Sequence, residues 1–172
     1  MPISSSLLAR AAAAAATAAL LLPAAASAQV TRINRNPNAI ILEGAKVAAG
    51  TEMVFLSGQL ASPLDPKTPM SPNMTVEQFG DTRTQTVSTL NKIKDVLATQ
   101  GYKMADVIKL TLFVAADPRT GKMDFAGANA GYREFFGTAE NPNLAARSTF
   151  QVAALVGPQY LIEIEAIAAK KK

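Results

Sequence analysis

Arg147 and Glu165 are the residues best placed by type and spacing to do chemistry. They lie in two runs that alternate apolar and polar positions, separated by the turn signal Gly157-Pro158. That pattern reads as an antiparallel hairpin. In the first run Arg147, Thr149 and Gln151 share one face and Ser148, Phe150 and Val152 the other. In the second, Ile162, Ile164, Ala166 and Ala168 oppose Glu163 and Glu165. A pivot near Val156 or Gly157 sets Arg147 opposite or diagonal to Glu165 on a polar face. A guanidinium fork can clamp a carboxylate, and a neighbouring carboxylate can hold a water or move a proton. The same two residues also read as an ordinary cross-strand ion pair contributing about 0.2–1 kcal/mol. Spacing alone leaves both readings open.

Composition narrows the chemistry. The 172-residue chain contains no Cys and no His. Thiolate nucleophiles, disulfides and thiolate metal sites are therefore excluded, along with the commonest general base. Carboxylates, Arg, hydroxyls, backbone groups and water remain. Ser57 precedes Gly58 at a strand end, but with no His to activate it, it reads as a turn residue. Asn129 and Tyr132 fall in a helical pattern and read as packing or capping. No phosphate-binding glycine loop and no metal-ligand cluster is present in the sequence. The formal charge is +4, supplied by Arg10 and the last three lysines, so the body is balanced and no nucleic-acid footprint is expected.

The elements that must position these residues begin after an export signal. Arg10, the apolar run 11–22 and Ala26-Ser27-Ala28 form the charged, hydrophobic and small-x-small parts of a secretory signal peptide. The run falls short of the ~20 residues that span a membrane. Cleavage after Ala28 is expected, which would send the chain to the periplasm or outside the cell, free of the membrane. Residues 29–38 are expected to form a flexible leader, 39–169 one domain and 170–172 a basic tail.

Within the domain, short strands are expected at 45–48 and 53–60. Thr75 and Gln78 form a capping-box pair that predicts a helix over about 75–99, ended by Gly101. A buried strand is expected at 106–115 and a second helix at 123–136, with Phe125, Ala128, Tyr132 and Phe135 on one side. The final two runs follow. The order β-β-α-β-α-β-β predicts an α+β domain, a mixed sheet with two helices on one face. The bare sheet face predicts oligomerisation.

Four segments in register carry a family resemblance: Ser57-Gly58-Gln59, Asn129-x-x-Tyr132-x-x-Phe135-Phe136, Ala146-Arg147-Ser148, and the ending from Ile162 to Ala168. Together they resemble the RidA/YjgF family of enamine and imine deaminases from about Ala39 to Ala168. The resemblance implies a chorismate-mutase-like fold and homotrimers with clefts between subunits, without metal or organic cofactor. It implies hydrolysis of 2-imino acids such as 2-iminopropanoate and 2-iminobutanoate to 2-keto acids and ammonia. Arg147 would then clamp the substrate carboxylate and Glu165 would hold the attacking water. Ser57, Gly58, Asn129 and Thr149 would line the cleft.

Two positions depart from the family pattern. Thr149 stands where many members have Cys. Ile41-Leu42-Glu43 stands where the family has Gly-Pro-Tyr, and Glu43 in a cleft would repel an anionic substrate unless paired with Lys46 or Arg147. A non-catalytic protein that holds small carboxylates on Arg147 is the alternative from another class. Nuclease or translation-inhibitor activity, sometimes ascribed to this family, fits poorly with a neutral body lacking His.

Overall fold

The computed structural model describes residues 29–170, so the expected signal segment lies outside the described residues. Eight main elements follow in order: β1 (Val30–Ile33), β2 (Gly44–Val47), β3 (Glu52–Leu60), α1 (Thr82–Thr99), β4 (Val107–Val114), α2 (Phe125–Arg133), β5 (Ala146–Gln151) and β6 (Ile162–Lys170). β1 and β2 form a small antiparallel pair. The main sheet has the order β3-β6-β4-β5, with β4 and β5 parallel and the other neighbours antiparallel. The α+β expectation therefore holds, with one strand more than the sequence pattern supplied.

That extra strand corrects the flexible-leader expectation for residues 29–38. Val30–Ile33 pairs with β2. The Arg32 guanidinium locks it down, donating from Nη2 to the carbonyl of Ala105 at 2.7 Å and from Nε to that of Leu144 at 3.3 Å. Polarity suggested fraying, but the polar side chain is the anchor.

The expected β5–β6 hairpin is also corrected. The two strands do not pair, because β4 lies between them. The intervening segment straddles the end of β4: Val152 N–H donates to Val114 O, and Ala115 N–H to Leu161 O, both at 3.0 Å. The Gly157-Pro158 turn exists, with Tyr160 N–H donating to Gly157 O. It belongs to a ten-residue connection rather than to a tight hairpin.

The first helix begins later than expected. Thr75 N–H does donate to the Gln78 side chain at 2.9 Å, but that pair caps a single 3₁₀ turn, Val76–Gln78. Gly80 at φ 85° interrupts the chain there. Asp81 then caps α1 by accepting from Thr84 N–H at 2.8 Å.

One sheet face carries Leu110, Leu112, Ile162, Ile164, Ala166 and Ala168. They pack with Leu90, Ile93 and Leu97 of α1 and Ala128 and Tyr132 of α2 as a single core. Gly131 sets the spacing of the helices, since a Cβ there would lie 2.6 Å from Thr86 Cβ and 3.0 Å from Arg83 O. Among the described residues no helix covers the opposite sheet face, which exposes Phe55 and Phe150.

A buried amide joins α1 to the segment between β5 and β6. The Gln85 side chain donates to Gly80 O and Gln159 O and accepts from Leu161 N–H at 2.9 Å. Gln85→Met keeps the volume but orphans these backbone groups, at about 1–3 kcal/mol for each one left buried and unpaired. Urea unfolding should show a loss of about 2–4 kcal/mol with an unchanged m value.

Candidate functional site

The strand register decides where Arg147 points. Arg147 pairs with Leu110, and Leu110 with Ala166, both of which face the helices. The guanidinium therefore lies over α2. Its carbon is 4.7 Å from the centroid of the Tyr132 ring and 5.9 Å from that of Phe125. Nη2 donates to Asn129 Oδ1. Phe125, Asn129 and Tyr132 recur at i, i+4 and i+7 and so occupy one side of α2.

Tyr132 is itself fixed. Its hydroxyl accepts from Ala145 N–H at 3.1 Å, and its ring stacks on Phe136 with centroids 4.7 Å apart. Burial pushes the Tyr132 phenol pKa up, partly offset by that backbone donor and by Arg147. The platform beneath the cation is thus a neutral ring held in one orientation.

The free side of the cation is unusual. Arg147 Nε and Nη1 are shielded from solvent and have no hydrogen-bond partner, and Thr149 Oγ1 is in the same condition. Burial pushes the Arg147 pKa down, with the nearby Tyr132 acting against it. An arginine side chain does not discharge in proteins. The consequence is an under-solvated cation with donors to spare, which a carboxylate would relieve in two-pronged fashion.

Glu165 lies elsewhere. It pairs with Thr111, which pairs with Ser148, placing all three on the open sheet face. A groove of about 290 Å³ there is lined by Phe55, Ser57, Lys109, Thr111, Glu165 and Ile167. Lys109 Nζ donates to Ser148 Oγ at 2.7 Å. The expectation that Arg147 and Glu165 sit side by side is therefore corrected: within one chain the sheet separates them.

The expected site residues thus fall into two sets. Arg147, Asn129 and Thr149 gather on the helix side of β5, while Ser57 and Glu165 share the open groove. Gly58 follows Ser57 at an irregularity in the β3–β6 register, where a Cβ would collide with the Glu163 carboxylate. Its role here is to let that side chain cross. Glu43 does not reach Arg147 or Lys46; it pairs with Arg35, Nε to Oε2 at 2.7 Å. Sequence reasoning missed Lys109 and the aromatic floor. The i, i+4, i+7 spacing on α2 is the available signal for the floor, although by that spacing Tyr132 reads as packing or capping.

Among the described residues no His/Cys/Asp/Glu group could hold a metal ion, and no helix is long and apolar enough to cross a membrane.

Comparison with known proteins places this geometry. The family model described as Endoribonuclease L-PSP matches residues 44–170. The 2-iminobutanoate/2-iminopropanoate deaminase of Escherichia coli K12 is 36% identical over 119 residues, covering 69% of this chain and 80% of the relative. The crystal structure of the E. coli YjgF gene product superposes with a TM-score of 0.52 at 32% identity, covering 81% of this chain and 94% of that one. The E. coli TdcF structure with bound serine gives 0.52 at 31% identity, covering 84% and 96%. By sequence match and by fold, the chain belongs to the RidA/YjgF family, whose model carries the description Endoribonuclease L-PSP.

Proposed function

We propose that this protein hydrolyses 2-imino acids of the 2-iminopropanoate and 2-iminobutanoate type to 2-keto acids and ammonia. The observation that carries the reading is the Arg147 cation, buried on an aromatic floor with Nε and Nη1 unpartnered. A small carboxylate that reached these nitrogens, which are closed to solvent in the single chain, would satisfy both. The deaminase names of relatives such as that of E. coli add the reaction class. Water attacks the imine carbon while Glu165 takes one of its protons and passes it to the nitrogen; the carbinolamine then loses its hydroxyl proton to the nitrogen by the same route, and the C–N bond breaks to leave keto acid, ammonia and the regenerated carboxylate. Such hydrolysis is already fast in water, so orientation by the clamp and one positioned water suffices.

The separation of the two residues supports a site shared between subunits. Each chain offers Arg147 on the helix side of an edge strand and Glu165 on an uncovered face with exposed Phe55 and Phe150. A homotrimer that buries those faces would bring one subunit's clamp to its neighbour's carboxylate.

We also propose that residues 1–28 are an export signal and that the protein works in the periplasm or outside the cell. The carbonyl of Gln29, the residue after the expected cleavage, already accepts from Ala48 N–H at 2.9 Å. N-terminal sequencing of periplasmic protein should read Gln29 first, and a sequence beginning at Met1 would refute cleavage.

Keto-acid formation from freshly generated 2-iminopropanoate tests the activity. Glu165→Ala should lower kcat about 100-fold or more while 2-keto acids still bind. Arg147→Ala should abolish both turnover and binding. A protein in which Glu165→Ala changes nothing, yet keto acids bind, is a carboxylate-binding protein instead.

Subunit mixing tests the shared site. Co-assembled Arg147→Ala and Glu165→Ala chains, each inactive alone, should recover about a quarter of wild-type activity, because random mixing restores that share of interfaces. No recovery in mixed trimers would place the whole site in one chain.

A further inference from the structure

We infer that the helix side of the fold holds a second small-molecule site, a cleft that takes an aromatic ring bearing a single carboxylate. The cleft has a volume of about 600 Å³, within the range of small-molecule sites. Lys94 and Ala98 of α1 form one wall, the 3₁₀ turn Met104–Asp106 a second, and the segment that follows α2 the third. Neither Arg147 nor Glu165 lines it, so the inference stands apart from the deaminase reading.

Two of these walls are held by their own hydrogen bonds. After α2, Asn141 Nδ2 donates to Phe135 O at 2.7 Å. Thr138 N–H donates to Asn141 O, and Asn141 N–H to Thr138 Oγ1, both at 3.0 Å. In the 3₁₀ turn, Asp106 Oδ2 accepts from Lys103 N–H at 2.8 Å. Walls braced in this way need little ordering when a ligand binds.

The lining sets the chemistry of the ligand. Ala98, Met104, Phe135 and Tyr102 make the surface mostly apolar, and the two rings suit an aromatic partner. The charged groups are Lys94, Lys103, Glu134 and Glu140. Glu134 is already taken by Arg83, whose Nη2 lies 2.9 Å from its Oε1. Among the described residues, Lys94, Lys103 and Glu140 make no ion pair. Two free cations against one free carboxylate favour an anion. Lys170 adds the same sign, with Nζ 4.2 Å from the centroid of the Tyr102 ring. Solvated surface lysines are ordinary. A pair of them beside an apolar cleft large enough for a ring is a charge pattern with a complementary ligand.

The test is a titration of isotope-labelled protein with indole-3-propanoate, followed by NMR amide shifts. Its primary amide and tryptamine carry the same ring with no charge and with a positive one. A ligand of this size should bind with a Kd on the order of 1 mM. Shifts should cluster at residues 94–106 and 134–141. The amide should bind about threefold more weakly than the carboxylate and tryptamine about tenfold. Reversing both charges, Lys94→Glu with Lys103→Glu, should weaken the carboxylate about tenfold. Ala98 is exposed, so Ala98→Trp leaves the core intact while its ring fills the cleft, and binding should be lost. Arg147→Ala should leave binding unchanged. Binding that disappears in Arg147→Ala, survives Ala98→Trp or favours tryptamine overturns the inference. So does the absence of any shift at about 10 mM ligand, ten times the expected Kd.

Discussion

The placement of β4 between β5 and β6 is the constraint on which the rest depends. A sheet has two faces, and successive residues of a strand alternate between them. With Leu110 buried against the helices, its partner Arg147 must share that side, and Thr111 must carry Glu165 and Ser148 to the other. The layer that makes the core stable therefore divides the chemistry. Arg147 belongs to the helix layer, Glu165 to the open face. On the proposed function, a second copy of the chain would supply the partner for each residue.

The clamp itself illustrates how a cost is turned to use. Stripping water from a cation is unfavourable unless something replaces it. Tyr132 and Phe125 offer ring faces, and Asn129 offers one acceptor, which satisfies part of the guanidinium. Two nitrogens are left short. A protein built only for stability would have paired them. On the proposed function, a bidentate carboxylate would answer the shortfall better than water or a single hydroxyl.

Much of this was legible in the chain. The alternation in β5 and β6, the two helices and the α+β class all follow from period and turn residues, and four short segments in register pointed to the family. What was not legible was which strand neighbours which. Gly157-Pro158 marks a real turn, but a turn signal cannot say whether the flanking strands touch or a third strand slips between them. Alternation sorts Arg147 with Thr149 and Glu165 with Glu163; it does not say whether the two sets lie on the same side. Thr75 and Gln78 were read correctly as a reciprocal cap and wrongly as the start of the long helix, because one 3₁₀ turn satisfies the same pattern. Arg32 was invisible for a different reason. Its partners, the carbonyls of Ala105 and Leu144, are remote in sequence, and no local rule predicts them.

The contact at Gly131 has a kinetic meaning. By letting α1 and α2 touch backbone to side chain, it removes the slack from the short helix that carries Phe125, Asn129 and Tyr132. The side chains around the Arg147 guanidinium are therefore held in one arrangement, and a ligand of the proposed kind would not have to order them on binding. If the substrate is the proposed imino acid, which water already consumes, speed of encounter matters more than length of stay. For such a ligand a stiff arrangement with fast exchange would serve better than one with a long residence time.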